Sequence, residues 1–154
     1  MDVSKRLIIL SAVALVVGLA AAGCGEDSST ASITKAQFVK KANAICTKVG
    51  QEVVSDFANY AKENKNLKNP TEADYADLVD AVMTPNIEKE VTELEALGAP
   101  SGDEDAVEEL IDSRAASIEA AEADPSLLLN ESDKLFAESS KLATEYGLDK
   151  CDDR

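Results

Sequence analysis

Residues 33–60, ITKAQFVKKANAICTKVGQEVVSDFANY, carry the clearest structural pattern of the chain. Thr34 and Gln37 have the spacing of a capping box, in which each side chain binds the backbone N–H of the other residue, so we predict that a helix begins there. Apolar side chains then recur every three or four residues, which places them on one face of a long helix: Phe38, Ala42, Ile45, Val49, Val53, Phe57 and Tyr60. Cys46 lies beside this face.

A second amphipathic segment follows the first. Thr71, with Asp74 three residues later, is placed to cap its beginning. Pro85 interrupts the pattern, because proline lacks the N–H that a helix interior requires. The sequence leaves two alternatives open. Either the helix kinks at Pro85, or it ends near Met83 and Thr84 caps a new helix with proline in its first turn.

Two more helices complete the pattern. Residues 98–102, GAPSG, form a break before a helix whose first turn is acidic. Pro125 separates that helix from the next, which has a further break near Asn130, and Gly147 is placed to end it in the left-handed conformation. No segment has the alternation of a strand. We therefore predict an all-α fold for residues 33–154, a four-helix and antiparallel bundle with a kinked or broken second helix.

The chain begins with the pattern of a bacterial lipoprotein signal peptide. Lys5 and Arg6 precede an apolar run over residues 7–22, and small residues then lead into Cys24. This pattern predicts that residues 1–23 are removed and that acyl chains such as palmitate are attached to Cys24. Residues 24–32 are polar and without periodicity, as in a flexible tether.

Two alternatives to the lipoprotein signal remain open. Ala21 occupies a position where such signals usually have leucine, and Ala20 and Ala22 resemble an ordinary secretory cleavage site that would leave Cys24 as a free thiol. The apolar run could also stay uncleaved in the membrane, although it is shorter than the roughly 20 residues that a spanning helix needs. All three alternatives place the domain outside the cytoplasm. The lipoprotein signal predicts attachment to the cell membrane through lipid.

The charge of the chain argues against two classes of partner. The sequence has 15 Lys and Arg against 30 Asp and Glu, a net charge of −15 at pH 7. Binding to nucleic acid requires clustered cations, so a nucleic-acid partner is not expected. Adhesion to an anionic membrane surface is disfavoured for the same reason. The predicted lipid on Cys24 would therefore be the contact with the membrane.

The three cysteines fit one arrangement. If Cys24 is acylated, Cys46 and Cys151 remain as a pair in an oxidising compartment, where disulfides form and persist. In an antiparallel bundle the end of the fourth helix returns towards the first half of the first helix. We predict a Cys46–Cys151 disulfide.

Several blocks of sequence resemble a group of small actinobacterial extracytoplasmic lipoproteins of unknown function. The most specific blocks contain the two mature cysteines: 33–38 (ITKAQF) with 41–46 (KANAIC), and 146–151 (YGLDKC). The break LEALGAP at 94–100 is a weaker match. This resemblance implies a lipid-anchored helical domain with a disulfide between the two cysteine blocks, and it implies no activity.

The side chains give little support for catalysis or metal binding. The chain has no histidine, so the usual base that activates a serine or cysteine is absent. Six acidic residues follow the break: Asp103, Glu104, Asp105, Glu108, Glu109 and Asp112. A helix spreads such carboxylates around its axis, and its N-terminus favours acidic residues in any case, so no metal site and no cofactor are predicted.

Arg114 and the three tyrosines admit two interpretations each. Arg114 lies near the apolar face of the third helix, either as a cation in a groove for an acidic ligand or as a packed side chain paired with a carboxylate. Tyr60, Tyr75 and Tyr146 either line a pocket or belong to the core with their hydroxyls at its edge.

We therefore predict a non-catalytic, membrane-tethered helical domain that acts as a binding or interaction module in the cell envelope, with an unknown envelope protein or small ligand as its partner. The alternative is a carrier or sensor that holds a small apolar ligand in a cavity opened by the kink at Pro85. An enzyme that uses only carboxylates is a third possibility. An interaction module should expose an apolar patch, whereas a carrier should contain a cavity.

Overall fold

The computed structural model describes residues 32–63 and 69–152, apart from the side chain of Leu129. The predicted signal peptide at 1–23, Cys24 and the predicted tether as far as residue 31 lie outside the described residues. All regular structure in the described ranges is helical, which confirms the predicted fold class. None of the described helices combines the length and apolar character needed to cross a membrane.

Eight α-helices and one π-helical segment make up the described chain. Helix α1 is Lys35–Glu63, and α2 is Glu72–Leu78, which continues through a π-helical segment at Val79–Met83 into α3 at Thr84–Glu95. Helix α4 is Glu104–Ala123. The remaining helices are short: α5 is Ser126–Asn130, α6 is Ser132–Leu135, α7 is Ala137–Tyr146 and α8 is Asp149–Asp152.

Helices α1 and α3 are antiparallel. Side-chain pairs between them connect later residues of α1 to earlier residues of α3: Lys48 with Glu93 (2.9 Å), Glu52 with Lys89 (2.7 Å) and Asp56 with Asn86 (3.0 Å). Two of the three pairs are partly exposed ion pairs, which stabilise a fold only slightly. The pairs therefore establish that the two helices are antiparallel, but they contribute little to the free energy of folding.

The other neighbours are antiparallel as well. The pairs between α3 and α4 are Thr84 with Glu122 (2.8 Å) and Glu90 with Arg114 (3.2 Å). Asp103, at the beginning of α4, accepts a hydrogen bond from Tyr146, at the end of α7 (2.9 Å). The predicted antiparallel four-helix bundle is confirmed, with α2–α3 as its second helix and α5–α7 as its fourth.

The second helix is kinked and continuous at Pro85. The N–H of Thr84 reaches the carbonyl of Val79, five residues back, which widens the turn into the π-helical segment. Pro85 follows directly and has no N–H to donate, so the wider turn accommodates it without ending the helix. Thr84 does not cap a new helix, because it has helical backbone angles and its hydroxyl binds Glu122.

The predicted helix boundaries are confirmed at the positions where side chains specify them. The N–H of Thr34 donates to Oε1 of Gln37 (3.0 Å), and the N–H of Gln37 donates to the hydroxyl of Thr34 (3.3 Å). Thr71 and Asp74 form the same reciprocal box. Gly147 ends α7 with a φ of 94°, in the left-handed region that glycine occupies without a Cβ clash.

The core has two apolar clusters. The larger one lies between the first half of α1, α4 and α7–α8, and its fully buried members include Phe38, Ala42 and Leu148. The smaller one surrounds the kink: Val79, Ile87, Ile118 and Ala121. The apolar face of α1 extends beyond both clusters. Phe57 was predicted on that face and is 45% exposed, although Tyr60, three residues later, contacts α2.

Candidate functional site

Cys46 of α1 and Cys151 of α8 form a disulfide, as predicted. Their Cα atoms are 5.1 Å apart, and the bridge joins residues 105 positions apart in sequence. Both cysteines are buried. A bridge of this kind is typical of proteins outside the cytoplasm, where thiols are not kept reduced.

Asn43 of α1 also binds the backbone close to Cys151. Its side-chain Nδ2 donates to the carbonyl of Gly147 (3.3 Å), and its Oδ1 accepts from the backbone N–H of Lys150 (2.8 Å). Asn43 and Cys46 are three residues apart and lie on neighbouring positions of one helix face. The two contacts and the disulfide therefore fix the backbone on both sides of Lys150.

A buried ion pair lies directly behind the disulfide. Nε of Arg114 is 3.2 Å from Oε1 of Glu90, and the two side chains are 5% and 0% exposed. Nη1 of Arg114 also donates to the carbonyl of Cys151 (3.2 Å). The interpretation of Arg114 as a packed side chain paired with a carboxylate is thus confirmed. Its guanidinium links α3, α4 and α8.

Glu90 also touches the disulfide. Its Oε1 is 3.4 Å from Sγ of Cys46. The sulfur has no proton while the disulfide is intact, so this contact is not a hydrogen bond. A free Cys46 thiol could donate to the same oxygen. Cys46, Glu90 and Cys151 are also the one group among the described residues whose potential metal-ligand atoms lie within 4.8 Å of one another, but the two sulfurs are bonded to each other.

A cavity of about 610 Å³ opens beside the disulfide. Pockets for small molecules typically have volumes of roughly 300–1,000 Å³. One wall is a face of α1: Cys46, Thr47, Gly50, Gln51, Val53 and Val54. Gly50 lies four residues from both Cys46 and Val54, so it occupies the middle of that face. Its missing side chain leaves space in the wall.

The opposite wall comes from the other helices. Met83 ends the π-helical segment and Ile87 follows one turn later, so the kink of the second helix forms part of the cavity. Phe136 lies at the break between α6 and α7. The lining also contains the charged residues Arg114 and Lys150. Most of the remaining lining is apolar, as in pockets that take apolar small molecules.

The tyrosines do not line this cavity. Tyr146 is buried, packs edge-on against Phe38 with ring centroids 5.7 Å apart, and donates its hydroxyl to Asp103. Burial, followed by the bond to Asp103 and the charge of that carboxylate, raises the pKa of Tyr146 above its usual value. Tyr60 donates to the backbone carbonyl of Asp74 (3.1 Å). Tyr146 is thus a core tyrosine with its hydroxyl at the edge, whereas Tyr60 is half-buried and belongs to neither apolar cluster.

Two acidic residues at the start of α4, Asp103 and Glu104, have structural partners. Asp103 accepts from Tyr146 and pairs with Lys35 (3.4 Å), and the carboxylate of Glu104 accepts from the N–H of Gly102 (2.7 Å). The acidic side chains of the first turn lie where the helix dipole favours them.

The chain matches no protein-family model, no curated protein and no solved structure. The resemblance to actinobacterial lipoproteins thus stays a prediction. The candidate site is therefore supported by its distances, burial and lining residues alone.

Sequence reasoning missed two residues of this site. Glu90 is spaced three residues after Ile87 and four before Leu94, which places it on the apolar face of α3 and could have identified it as buried. Gly50 lies in the interior of a strong helical pattern, where glycine costs about 1 kcal/mol relative to alanine. This unfavourable choice of residue is the signal that could have drawn attention to Gly50.

Proposed function

We propose that this chain is a non-catalytic, lipid-anchored helical domain of the cell envelope that binds a small apolar ligand in the cavity beside the disulfide. The observation that carries the proposal is the apolar cavity of about 610 Å³ between α1 and the kinked second helix. Sequence analysis had favoured an interaction module over a carrier. The size and lining of the cavity favour the carrier or sensor.

The apolar side chains of the cavity supply the binding energy. Val53, Val54, Met83, Ile87 and Phe136 surround the space. Removal of apolar surface from water is worth about 25 cal/mol per Å², so an apolar body that fills the space gains most from these walls. The disulfide and Asn43 fix the wall at one end, which reduces the ordering that binding requires.

A narrower observation supports the interaction module. Val54 is 70% exposed and Phe57 is 45% exposed, and the two side chains are three residues apart on α1. An apolar pair of this kind can contact a protein partner, but it is small compared with the patches of a few hundred Å² that mark interfaces. Val54 also belongs to the cavity lining, so the pair extends the mouth of the cavity.

Native mass spectrometry separates the two functions. The full chain carrying Cys24→Ser is exported by its own host and purified without detergent, since detergent would compete for the cavity. A small molecule retained by this protein and absent from the additional variant Gly50→Leu supports the carrier. A co-purifying protein without any small molecule supports the interaction module instead.

The lipid anchor is the second part of the proposal. The apolar run at 7–22 that leads to Cys24 supports it. A single acyl chain gives only marginal membrane binding, so stable attachment implies more than one chain.

A further inference from the structure

Both charged residues of the cavity lining have partners within the protein. Arg114 pairs with Glu90 and donates to the carbonyl of Cys151, and Lys150 has an interaction partner as well. No carboxylate among the described residues belongs to the lining. A charged ligand group brought into this space would lose hydration without meeting an unpaired charge of opposite sign, which is costly. The cavity therefore favours an uncharged molecule.

The wall that α1 gives to the cavity has a polar edge. Gly50 and Val53 are half-buried and form its apolar part. Thr47 and Gln51 are exposed and four residues apart, so they lie one turn from each other along the same edge. The facing wall is buried more deeply, as at Ile87. An apolar space with a polar, uncharged edge suits a molecule that is apolar over most of its length and polar at one end.

Gln51 has hydrogen-bonding groups that no other described residue occupies. The hydroxyl of Thr47 donates its hydrogen to the carbonyl of Asn43 (2.8 Å), so Thr47 can offer a ligand only its acceptor oxygen. The carboxamide of Gln51 carries both N–H donors and a carbonyl acceptor. It can therefore bind a hydroxyl or an ester carbonyl at the edge of the cavity.

We propose that the ligand is an uncharged amphipathic lipid, such as a long-chain alcohol or ester, whose polar end binds the carboxamide of Gln51. Its hydrocarbon chain lies between α1 and the kinked helix. This inference rests on the proposed function and names the chemical class of its ligand and a residue that selects it. At the ~30 Å³ that one molecule occupies in liquid water, the cavity of about 610 Å³ has room for on the order of 20 non-hydrogen atoms, enough for a dodecyl chain.

Three probes with the same alkyl chain test the charge of the ligand. Isotopically labelled dodecanol, dodecanoate and dodecyltrimethylammonium are each dialysed to equilibrium, below their micelle concentrations and solubility limits, against the full chain carrying Cys24→Ser. We expect dodecanol to bind at least tenfold more tightly than either ion, because each ion gives up hydration that the cavity does not replace.

The additional variant Gln51→Met tests the position of the polar end. Methionine keeps a side chain of similar length and removes the carboxamide. We expect dodecanol binding to weaken about three- to tenfold, as for the loss of one hydrogen bond. Binding of 1-chlorododecane, which has the same chain and no hydroxyl, should stay within twofold and shows that the cavity is intact. Asn59→Leu removes an exposed carboxamide of α1 outside the lining and should change neither affinity by more than twofold.

The outcomes separate this inference from the proposed function. If dodecanoate or the ammonium probe binds as tightly as dodecanol, the ligand is not selected for lack of charge and the inference is wrong, although a ligand in the cavity is still supported. If Gln51→Met leaves dodecanol binding unchanged, or weakens dodecanol and 1-chlorododecane equally, the polar end does not lie at Gln51 and the inference is again wrong. If none of the probes binds, the proposed function fails and the inference fails with it.

Discussion

The carboxylate of Glu90 and the guanidinium of Arg114 are 3.2 Å apart in the interior of the bundle, and almost no part of either side chain reaches solvent. Each charge has lost its hydration, so each depends on the other. The pair also touches the disulfide on one side and borders the cavity on the other. The stability of the fold and the shape of the cavity are therefore connected at this point.

Removal of one partner of this pair should destabilise the domain strongly. We expect Arg114→Met to lower the free energy of unfolding by about 3–5 kcal/mol, because it leaves the Glu90 carboxylate buried without its cation. The double variant Glu90→Met with Arg114→Met should recover most of the loss, since two apolar side chains carry no charge into the core. Urea unfolding of the wild type, the single variants Arg114→Met and Glu90→Met, and the double variant gives the coupling energy. Additive effects of the two substitutions would contradict this account.

Loss of the disulfide should cost a large part of the net stability. The bridge closes a loop of 105 residues, for which the chain-entropy model gives an upper value of about 4.7 kcal/mol. We expect the double variant Cys46→Ala with Cys151→Ala to lose about 2–5 kcal/mol in urea unfolding.

A reducing agent provides the matched control for the disulfide. It should destabilise the wild-type protein to a similar degree and leave the double variant unchanged. Two free thiols from Cys46 and Cys151, counted in protein exported by its own host and denatured without reductant, would show that the bridge does not form.

The domain should lose stability above about pH 10 because of Tyr146. The pKa of Tyr146 is raised in the folded protein, while a tyrosine in the unfolded chain titrates near pH 10. The unfolded chain thus loses this proton first. The contribution to stability is complete below pH 10 and falls as the pH rises above it, by at most about 1.4 kcal/mol per pH unit.

Tyr146→Phe is the control for this pH dependence. It keeps the ring against Phe38 and removes the hydroxyl that binds Asp103, so it should cost about 1 kcal/mol at neutral pH and show a smaller decline above pH 10. Unfolding in urea at several pH values measures both proteins. An equal decline in the two would exclude Tyr146 as its source.

Substitution of Gly50 should separate stability from binding. We expect Gly50→Ala to raise the free energy of unfolding by about 0.5–1 kcal/mol, because glycine is unfavourable in a helix interior. Gly50→Leu places a larger side chain in the middle of the α1 wall and should reduce the affinity for an apolar probe such as dodecanol more than tenfold. Ser55→Leu, at an exposed position of α1 outside the lining, controls for an added apolar side chain. Equal binding by the two leucine variants would place the ligand elsewhere.

Cys24→Ser should release the protein from the membrane fraction if Cys24 carries the anchor. Stable attachment needs more than one acyl chain, so the mass of the wild-type protein should exceed that of the variant by at least two chains. Cys151→Ala, which removes a different cysteine, should leave the protein on the membrane. Attachment of Cys24→Ser as firm as that of the wild type would rule out lipidation as the anchor.

Local signals in the sequence predicted much of the bundle. Capping boxes, the glycine stop at Gly147 and apolar periodicity act over a few residues, and the structure confirms them. The disulfide was predictable because the antiparallel topology brings Cys151 back to Cys46. The sequence did not decide between a kinked helix and a new helix at Pro85. Proline excludes a regular helix, but it does not select between a new cap and a wider π-helical turn.

The site was harder to predict because it depends on contacts between helices. The spacing of Glu90 indicates a buried position, but its partner Arg114 belongs to another helix and is identified only when α3 and α4 are packed together. Phe57 follows the same periodicity as Phe38, yet Phe57 is exposed and Phe38 is in the core, because periodicity does not show which part of a helix face its neighbours cover. A cavity forms between two facing walls. Gly50 and Met83 therefore indicate the cavity only when the positions of both helices are known.

The bond between Cys46 and Cys151 makes the intervening chain a covalent ring. A protease that cuts the backbone between the exposed residues Ser101 and Gly102 would produce two fragments that remain joined through sulfur. The fragment that follows the cut would still be connected, through the disulfide, to α1 and to the residues that precede it. Release of this domain by proteolysis within the ring therefore requires two separate chemical events, a cut in the backbone and a reduction.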